Sequence, residues 1–376
     1  MNRPFSEPAG DTPVTMTSRQ RIEATLSHRE PDRTPMFEYV LLSPLADRFL
    51  GHRYAGDPEN WDELVRELGW TEAVRRNACD RLDLACMLGH DLLYAWPNPP
   101  PPAPARDGPR REPEPAPNAD AGDPVENVRR RNAARAAGAG QRPSDETFAV
   151  YVALKEEMAR RALDLPILAP AYAHGVWTDV DLMQTMLLDE AVAAEHFRLA
   201  TLGALAQVER YLELGIDQIG VGGDFAGNRP LISPELYRRF IVPEVRQVSR
   251  RIHAGGARAV NASDGNLWSV LDDFLCGCEV DGYLEIDQHA EMELAPLKAA
   301  YGGKITFYGN LDCGNTLTFG TPDEVRRHVQ ACLTAGLGNG GHILCASNAI
   351  TASVPLANYV AVLAAYRDYF GLPRLF

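Results

Sequence analysis

Nowhere does the 376-residue chain carry an apolar run approaching the ~18 residues of a membrane-crossing helix. The opening MNRPFSEPAGDTPVTM lacks an apolar segment flanked by positive charge, so neither a secretory signal nor a membrane partner is expected and a cytoplasmic location is predicted. Positive charge is also in short supply, with 37 Lys and Arg against 51 Asp and Glu and a formal net charge of −14. A nucleic-acid surface needs a clustered basic face, so nucleic acid is excluded as a partner, and the run Arg129 to Arg131 is too isolated to restore it. Cysteine is sparse: Cys79, Cys86, Cys276, Cys278, Cys313, Cys332 and Cys345 make an odd, scattered set, which excludes a disulfide framework. What the chain does have is 45% hydrophobic and 23% charged residues, enough to bury a sizeable core.

Order along the chain is legible from its caps and periods. A Pro-, Ser- and Gly-rich stretch over 1–16 predicts a loose tail. Thr17 or Ser18 caps a helix SRQRIEATLSH, and PENWDELVRELG repeats apolar residues at Trp61, Leu64, Val65 and Leu68, a helical stripe. From about Pro97 to Pro143 a proline run gives way to ENVRRRNAARAAG. This insertion is expected to be exposed, with one short helix in its Arg-rich part, or to form a lid over an active site. Ser144, Ser233 and Thr321 cap later helices, the last with Glu324 in a capping box.

Between Arg258 and Ser347 one arrangement recurs: the short apolar runs in ARAVNASDGN, GYLEIDQ, ITFYGNLD and HILCAS each end in polar residues. With MFEYV, DLACMLGHDLL, PILAPAY and QIGVGGD they predict eight strands alternating with helices, an α/β fold of the (β/α)8 TIM-barrel class with N-terminal helical additions, over 17–376. Such barrels carry their chemistry at the strands' carboxyl ends. Asp224 ends one run before a Gly-rich turn, where it serves either proton transfer and substrate binding or a backbone turn. Asp264 in SDGN has the same two readings. Asn261 and Ser263 share one face of their strand, as do Glu285 and Asp287, whose proximity would raise one pKa or bind a divalent cation. His174, following Tyr172 at the end of the third run, is either an acid–base group or a satisfied loop histidine. Ser347 ends the last run. Cys276 and Cys278 lie at a helix end, where packing accounts for them.

TSRQRIEATLSHREPDRTP, GIDQIGVGGDFAGNRPLISPELYRRFIVPEV, SDGN, ITFYGNLD with FGTPDEV, and GGHILCASNAITASVPLANYVAVLAAYRDYFG, in that order, resemble the uroporphyrinogen decarboxylase superfamily. The resemblance runs from Thr17 to the C-terminus apart from much of the insertion. It implies a (β/α)8 barrel that hosts either tetrapyrrole decarboxylation or corrinoid-dependent methyl transfer. The decarboxylases carry an Arg-rich segment resembling RQAGRY after the first strand; EYVLLSPLADRF stands here without that arginine pair. The methyltransferase branch holds zinc through a His-x-Cys pair and a late Cys; the matching positions are Asn261, Ser263 and Asn348, poor zinc ligands, so zinc is not expected. Cys345, three positions upstream, is the remaining metal candidate. By the same resemblance Asn310 and Asp312 line the site and Asp91 falls where decarboxylases hold pyrrole nitrogens.

The resulting expectation is a methyltransferase moving a methyl group between a small substrate and a corrinoid or similar carrier, with Asp224, Asp264, Glu285 and Asp312 catalytic. Decarboxylation of a small acid or tetrapyrrole, and a ligand-binding barrel without chemistry, are the alternatives. A corrinoid protein is an expected partner. The apolar C-terminal helix and the helix near Leu202 suggest a homodimer.

Overall fold

The computed structural model describes residues 15–102 and 122–375. Nearly all of the expected tail and the insertion's proline-rich middle, 103–121, lie outside the described residues.

Seven strands form one parallel sheet in sequence order: β1 (Leu93–Tyr94), β2 (Ile167–Pro170), β3 (Gln218–Gly222), β4 (Arg258–Ala262), β5 (Gly282–Leu284), β6 (Thr306–Tyr308) and β7 (His342–Ile343). Parallel neighbours need long crossovers, and helices supply them. The expected strand Met36–Val40 is instead a pair of isolated bridges, Met36 to Leu344 and Leu41 to Ile350. Phe37 N–H donates to the Leu344 carbonyl at 3.1 Å and Asp91 N–H to the Met36 carbonyl at 2.7 Å, so this segment links the two edges of the sheet. The expected strand over DLACMLGHDLL is mostly helix: Trp70–Leu88 runs unbroken until Gly89 at φ 76°. Ala78, Leu82 and Ala85 are all buried on one helical face, and that period outweighs the run's apolar character.

Alternation along the strands sorts side chains into two layers. Phe37, Tyr94, Leu168, Val260, Ala262, Leu284, Tyr308, Ile343 and Cys345 pack into the inner cluster, while Ala169, Ile219, Val221, Ala259, Tyr283, Phe307 and Leu344 pack outward against the helices. The helix Ser18–Leu26, fixed by a capping box between Thr17 and Gln20, contributes Ile22 to the inner cluster and lies at the strands' amino ends. The C-terminal helix Leu356–Tyr369 buries Tyr359, Val362, Leu363 and Tyr366 within the chain. Its apolar face packs within the chain.

The Arg-rich part of the insertion is one helix, Pro124–Ala136, started by Asp123, whose carboxylate accepts from Val125 N–H at 3.0 Å. Arg131 pairs with both oxygens of Asp179 at 2.9 Å, and Asn132 donates to the Val192 carbonyl at 3.0 Å. These contacts dock it on the segment after β2, beside the carboxyl ends of the strands. No helix among the described residues is long and apolar enough to cross a membrane.

Candidate active site

Two cavities open at the strands' carboxyl ends and share Asp224. One, of about 440 Å³, is lined by Tyr39, Arg135, Tyr172, Gly175, Asp224 and Glu285, with Ala262 below. The other, of about 340 Å³, takes in Asp224, Asp264, Asp287, Asp312, Ser347 and Asn348. The arrangement follows from the backbone. Asp264 extends the inward phase of Val260 and Ala262. Strict alternation would send Glu285 outward, but its φ of 70° resets the phase: Leu284 faces inward, Ile286 packs outward, and Glu285 stays on the cavity wall. A glutamate in the left-handed region costs on the order of 1 kcal/mol or more, and such residues cluster at functional sites. Tyr172 needs Gly220, where a Cβ would lie 2.6 Å from its ring.

The carboxyl groups act on one another. Burial, then the charges of Asp264 and Asp224, push Glu285 up to about 8, while a hydrogen bond with Tyr39 pulls the other way. Burial, then Asp224 and Asp287, push Asp264 up to about 7 against the hydrogen bond from Asn348, whose Nδ2 donates to Asp264 Oδ2 at 2.6 Å. Asp264 N–H in turn donates to Asp224 Oδ1 at 3.0 Å. Desolvation and like charge both favour the neutral acid, so Glu285 holds a proton at neutral pH. Asp312 is built differently. Burial pushes its carboxyl up, but hydrogen bonds from Thr316 and Asn315 and the nearby His289 outweigh that and hold it below the usual range; it anchors the turn after β6 as a carboxylate. Asp287 accepts from His289 N–H at 2.9 Å.

Several expected site residues lie elsewhere. Asn261, on the outward phase of β4, donates to the Phe274 carbonyl at 3.0 Å and is fully buried. Ser263 is buried too, its hydroxyl bonded to the Asp264 carbonyl at 3.0 Å. Asn310 donates to the Met292 carbonyl at 3.1 Å and receives a contact from Cys332. His174 meets Thr201 Oγ1 at 2.9 Å, and burial, then His196, lower it to about 4; it is a neutral buried imidazole, no acid–base group at pH 7. Asp91 precedes β1 at the opposite end of the sheet, paired with Arg21 and Arg33 at 2.6 Å each. Cys345 belongs to the inner cluster, where burial raises its thiol far above the ordinary value. None of these six side chains is among those lining either cavity.

A family model described as uroporphyrinogen decarboxylase (URO-D) matches residues 170–369, the part that supplies β3 to β7 and every catalytic candidate. The chain belongs to the uroporphyrinogen decarboxylase family. A curated uroporphyrinogen decarboxylase of Xanthomonas euvesicatoria is 26% identical over 218 residues, 53% of this chain and 58% of that protein; the chain thus spans little more than half of that relative. A solved methyltransferase from Methanosarcina mazei superposes with a TM-score of 0.65 over 94% of this chain and 99% of that one. At 16% identity that likeness speaks for the fold alone.

The positions at which the resemblance would set zinc ligands do not form a zinc donor set. Asn261 is turned away with its Nδ2 committed, Ser263 bonds the backbone, and Asn348 donates to Asp264; none offers imidazole or thiolate. Tyr39 and Arg135 line the larger cavity yet were not singled out from sequence. Tyr39 lies in the segment expected to be the first strand, and an alternation count from Phe37 would have found it. Arg135 comes from the insertion, and nothing in the sequence alone aims it at the mouth. Trp177 and His289 also line the smaller cavity.

Proposed function

We propose that the chain is an enzyme that transfers a methyl group from a small substrate to an external carrier, with Glu285 as general acid, on a barrel in which Pro35–Phe37 serves as the eighth stave. The observation that carries this reading is the buried Glu285, pushed up to about 8 beside Asp264 and Asp224 on a cavity wall. Departure of a methyl group leaves electron density on the substrate heteroatom, and a positioned carboxylic acid delivers the proton that neutralises it. Asp264, pushed up to about 7, is suited to reprotonate or relay, while Asp224, hydrogen-bonded to the Asp264 N–H, orients the pair. Tyr39 and Tyr172 shape the wall on which the substrate rests. Family membership and the fold likeness to a methyltransferase support the assignment.

A corrinoid would supply the methyl-accepting metal centre, delivered by a partner protein. Cavities of about 440 and 340 Å³ suit a small substrate; no residue here is assigned to hold a corrinoid and no step passes through it. The second reading is decarboxylation of a small acid, favoured by the same protonated Glu285, which would protonate the carbanion left by departing carbon dioxide. Assay of the purified protein against methylated small molecules with a corrinoid acceptor, beside carbon dioxide release from small acids without one, separates the two. Methyl transfer that vanishes in Glu285→Gln supports the first; carbon dioxide release without an acceptor replaces it with the second; binding with no turnover in either assay removes both.

A further inference from the structure

The helix Pro124–Ala136 carries a cation whose position the fold fixes and whose charge the protein leaves open. Arg129 pairs with Glu126 at 2.9 Å and Asp189 at 3.4 Å, and Arg131 with Asp179 at 2.9 Å. Arg135, one turn further on, has no carboxylate partner among the described residues. Among the described residues its polar contact is His196 Nε2 at 3.5 Å, and burial, followed by the charge of Arg135, keeps that imidazole neutral. Arg135 instead lines the 440 Å³ cavity opposite Tyr39, Tyr172, Asp224 and Glu285. The helix is anchored by Arg131, Asn132 and Asn127, the last donating to Asp181 Oδ2 at 3.1 Å, so the backbone that carries Arg135 is docked where its side chain lines the cavity.

Resting on the methyl-transfer reading of this cavity, we propose that Arg135 is the substrate's anchor: the enzyme's substrate is a small organic acid whose carboxylate pairs with the Arg135 guanidinium at the rim while its reacting end lies against Glu285. A planar guanidinium offers paired donors matched to a carboxylate. The cavity wall fits such a ligand in two further respects. Its deepest acid, Glu285, is neutral at pH 7, so the wall presents a hydrogen-bond donor where an ionised side chain would repel the anion. The Tyr172 hydroxyl is buried on the same wall beside the Tyr39 phenol, a polar group that a ligand oxygen can meet. Charge also faces Glu285 from Asp224 and Asp264, with the phenols of Tyr39, Tyr94 and Tyr172 around it, so an uncharged or cationic tail is better suited to the inner part than a second carboxylate.

Equilibrium binding of benzoate, benzamide and inorganic phosphate to the intact protein at pH 6.5 tests this without any turnover, so that it can fail while methyl transfer stands and can hold while methyl transfer fails. Benzoate is expected to bind, benzamide to bind at least tenfold more weakly, Arg135→Gln to weaken benzoate at least tenfold, and Arg135→Lys to recover part of the loss. Arg129→Gln, already paired on the same helix, is expected to bind as the unaltered protein does. Phosphate binding in preference to benzoate would replace the carboxylate with a phosphoryl group and overturn the substrate class. Benzoate affinity equal in the unaltered protein and Arg135→Gln, or no benzoate binding to either, overturns the proposal.

Discussion

Glu285 gathers most of the local chemistry into one side chain: a backbone in the left-handed region that keeps it on the cavity wall, burial that removes water, and neighbouring carboxylates that hold its proton. Glu285→Gln keeps the shape and removes the proton, so turnover should fall by about 10²- to 10⁴-fold, read as kcat, with KM little changed. In the unaltered enzyme the activity should decline as pH rises through about 8, and Asp264, pushed up to about 7, should shape the same limb. Asn348→Leu removes a hydrogen bond that lowers Asp264, so the Asp264-dependent part of that limb should move to higher pH; an unmoved profile would separate Asp264 from the reaction.

At the scale of elements, the strands supply the frame and the segments after them supply the chemistry. The runs ending at Asp224, Asp264, Asp287 and Asp312 were readable because apolar stretches end abruptly in polar residues, and the helices after Ser233 and Thr321 were readable from their caps. Which alternate residue faces the mouth was not, because strands of a parallel sheet are buried on both sides and read as continuous apolar runs. Asn261 was misplaced for that reason. Glu285 reaches the cavity only through a backbone conformation that composition does not announce, and Arg135 only because a helix of the insertion docks on the segment after β2. Gly220→Ala tests the packing directly: with a Cβ at 2.6 Å from the Tyr172 ring, it should lower stability by about 1–3 kcal/mol in denaturant titration and weaken substrate binding together.

For the whole molecule, the two ends of the parallel sheet divide the work. Asp91, fully buried between Arg21 and Arg33 and hydrogen-bonded to Met36 N–H at 3.1 Å, ties the N-terminal helix to the sheet at the end away from the cavities. Asp91→Ala leaves two buried guanidinium groups without it and should cost about 3–5 kcal/mol of unfolding free energy, while the fraction that remains folded keeps its kcat. The mouth shows the opposite economy, carrying acids that folding renders harder to ionise. The unfolded chain gives up the Glu285 proton near the ordinary glutamate value of 4.5, whereas the folded chain keeps it up to about 8. Between those values the folded state binds more protons, so stability is greatest below about 4.5 as far as this group is concerned and is lost as pH rises through about 8. Glu38, pushed up to about 7 chiefly by burial, and Asp264 add to the same slope. Thermal unfolding should therefore shift downward from pH 5.5 to pH 8.5, and Glu285→Gln should flatten the slope and raise the unfolding midpoint at pH 8.5. The most direct measurement is infrared titration of the carboxylic acid C=O stretch, unaltered protein minus Glu285→Gln, between pH 5 and 9. A difference band that persists at pH 7 and disappears with a midpoint near 8 is the predicted result; a band already gone by pH 6 would contradict the claim that the cavity at the strands' carboxyl ends holds a protonated acid ready for transfer.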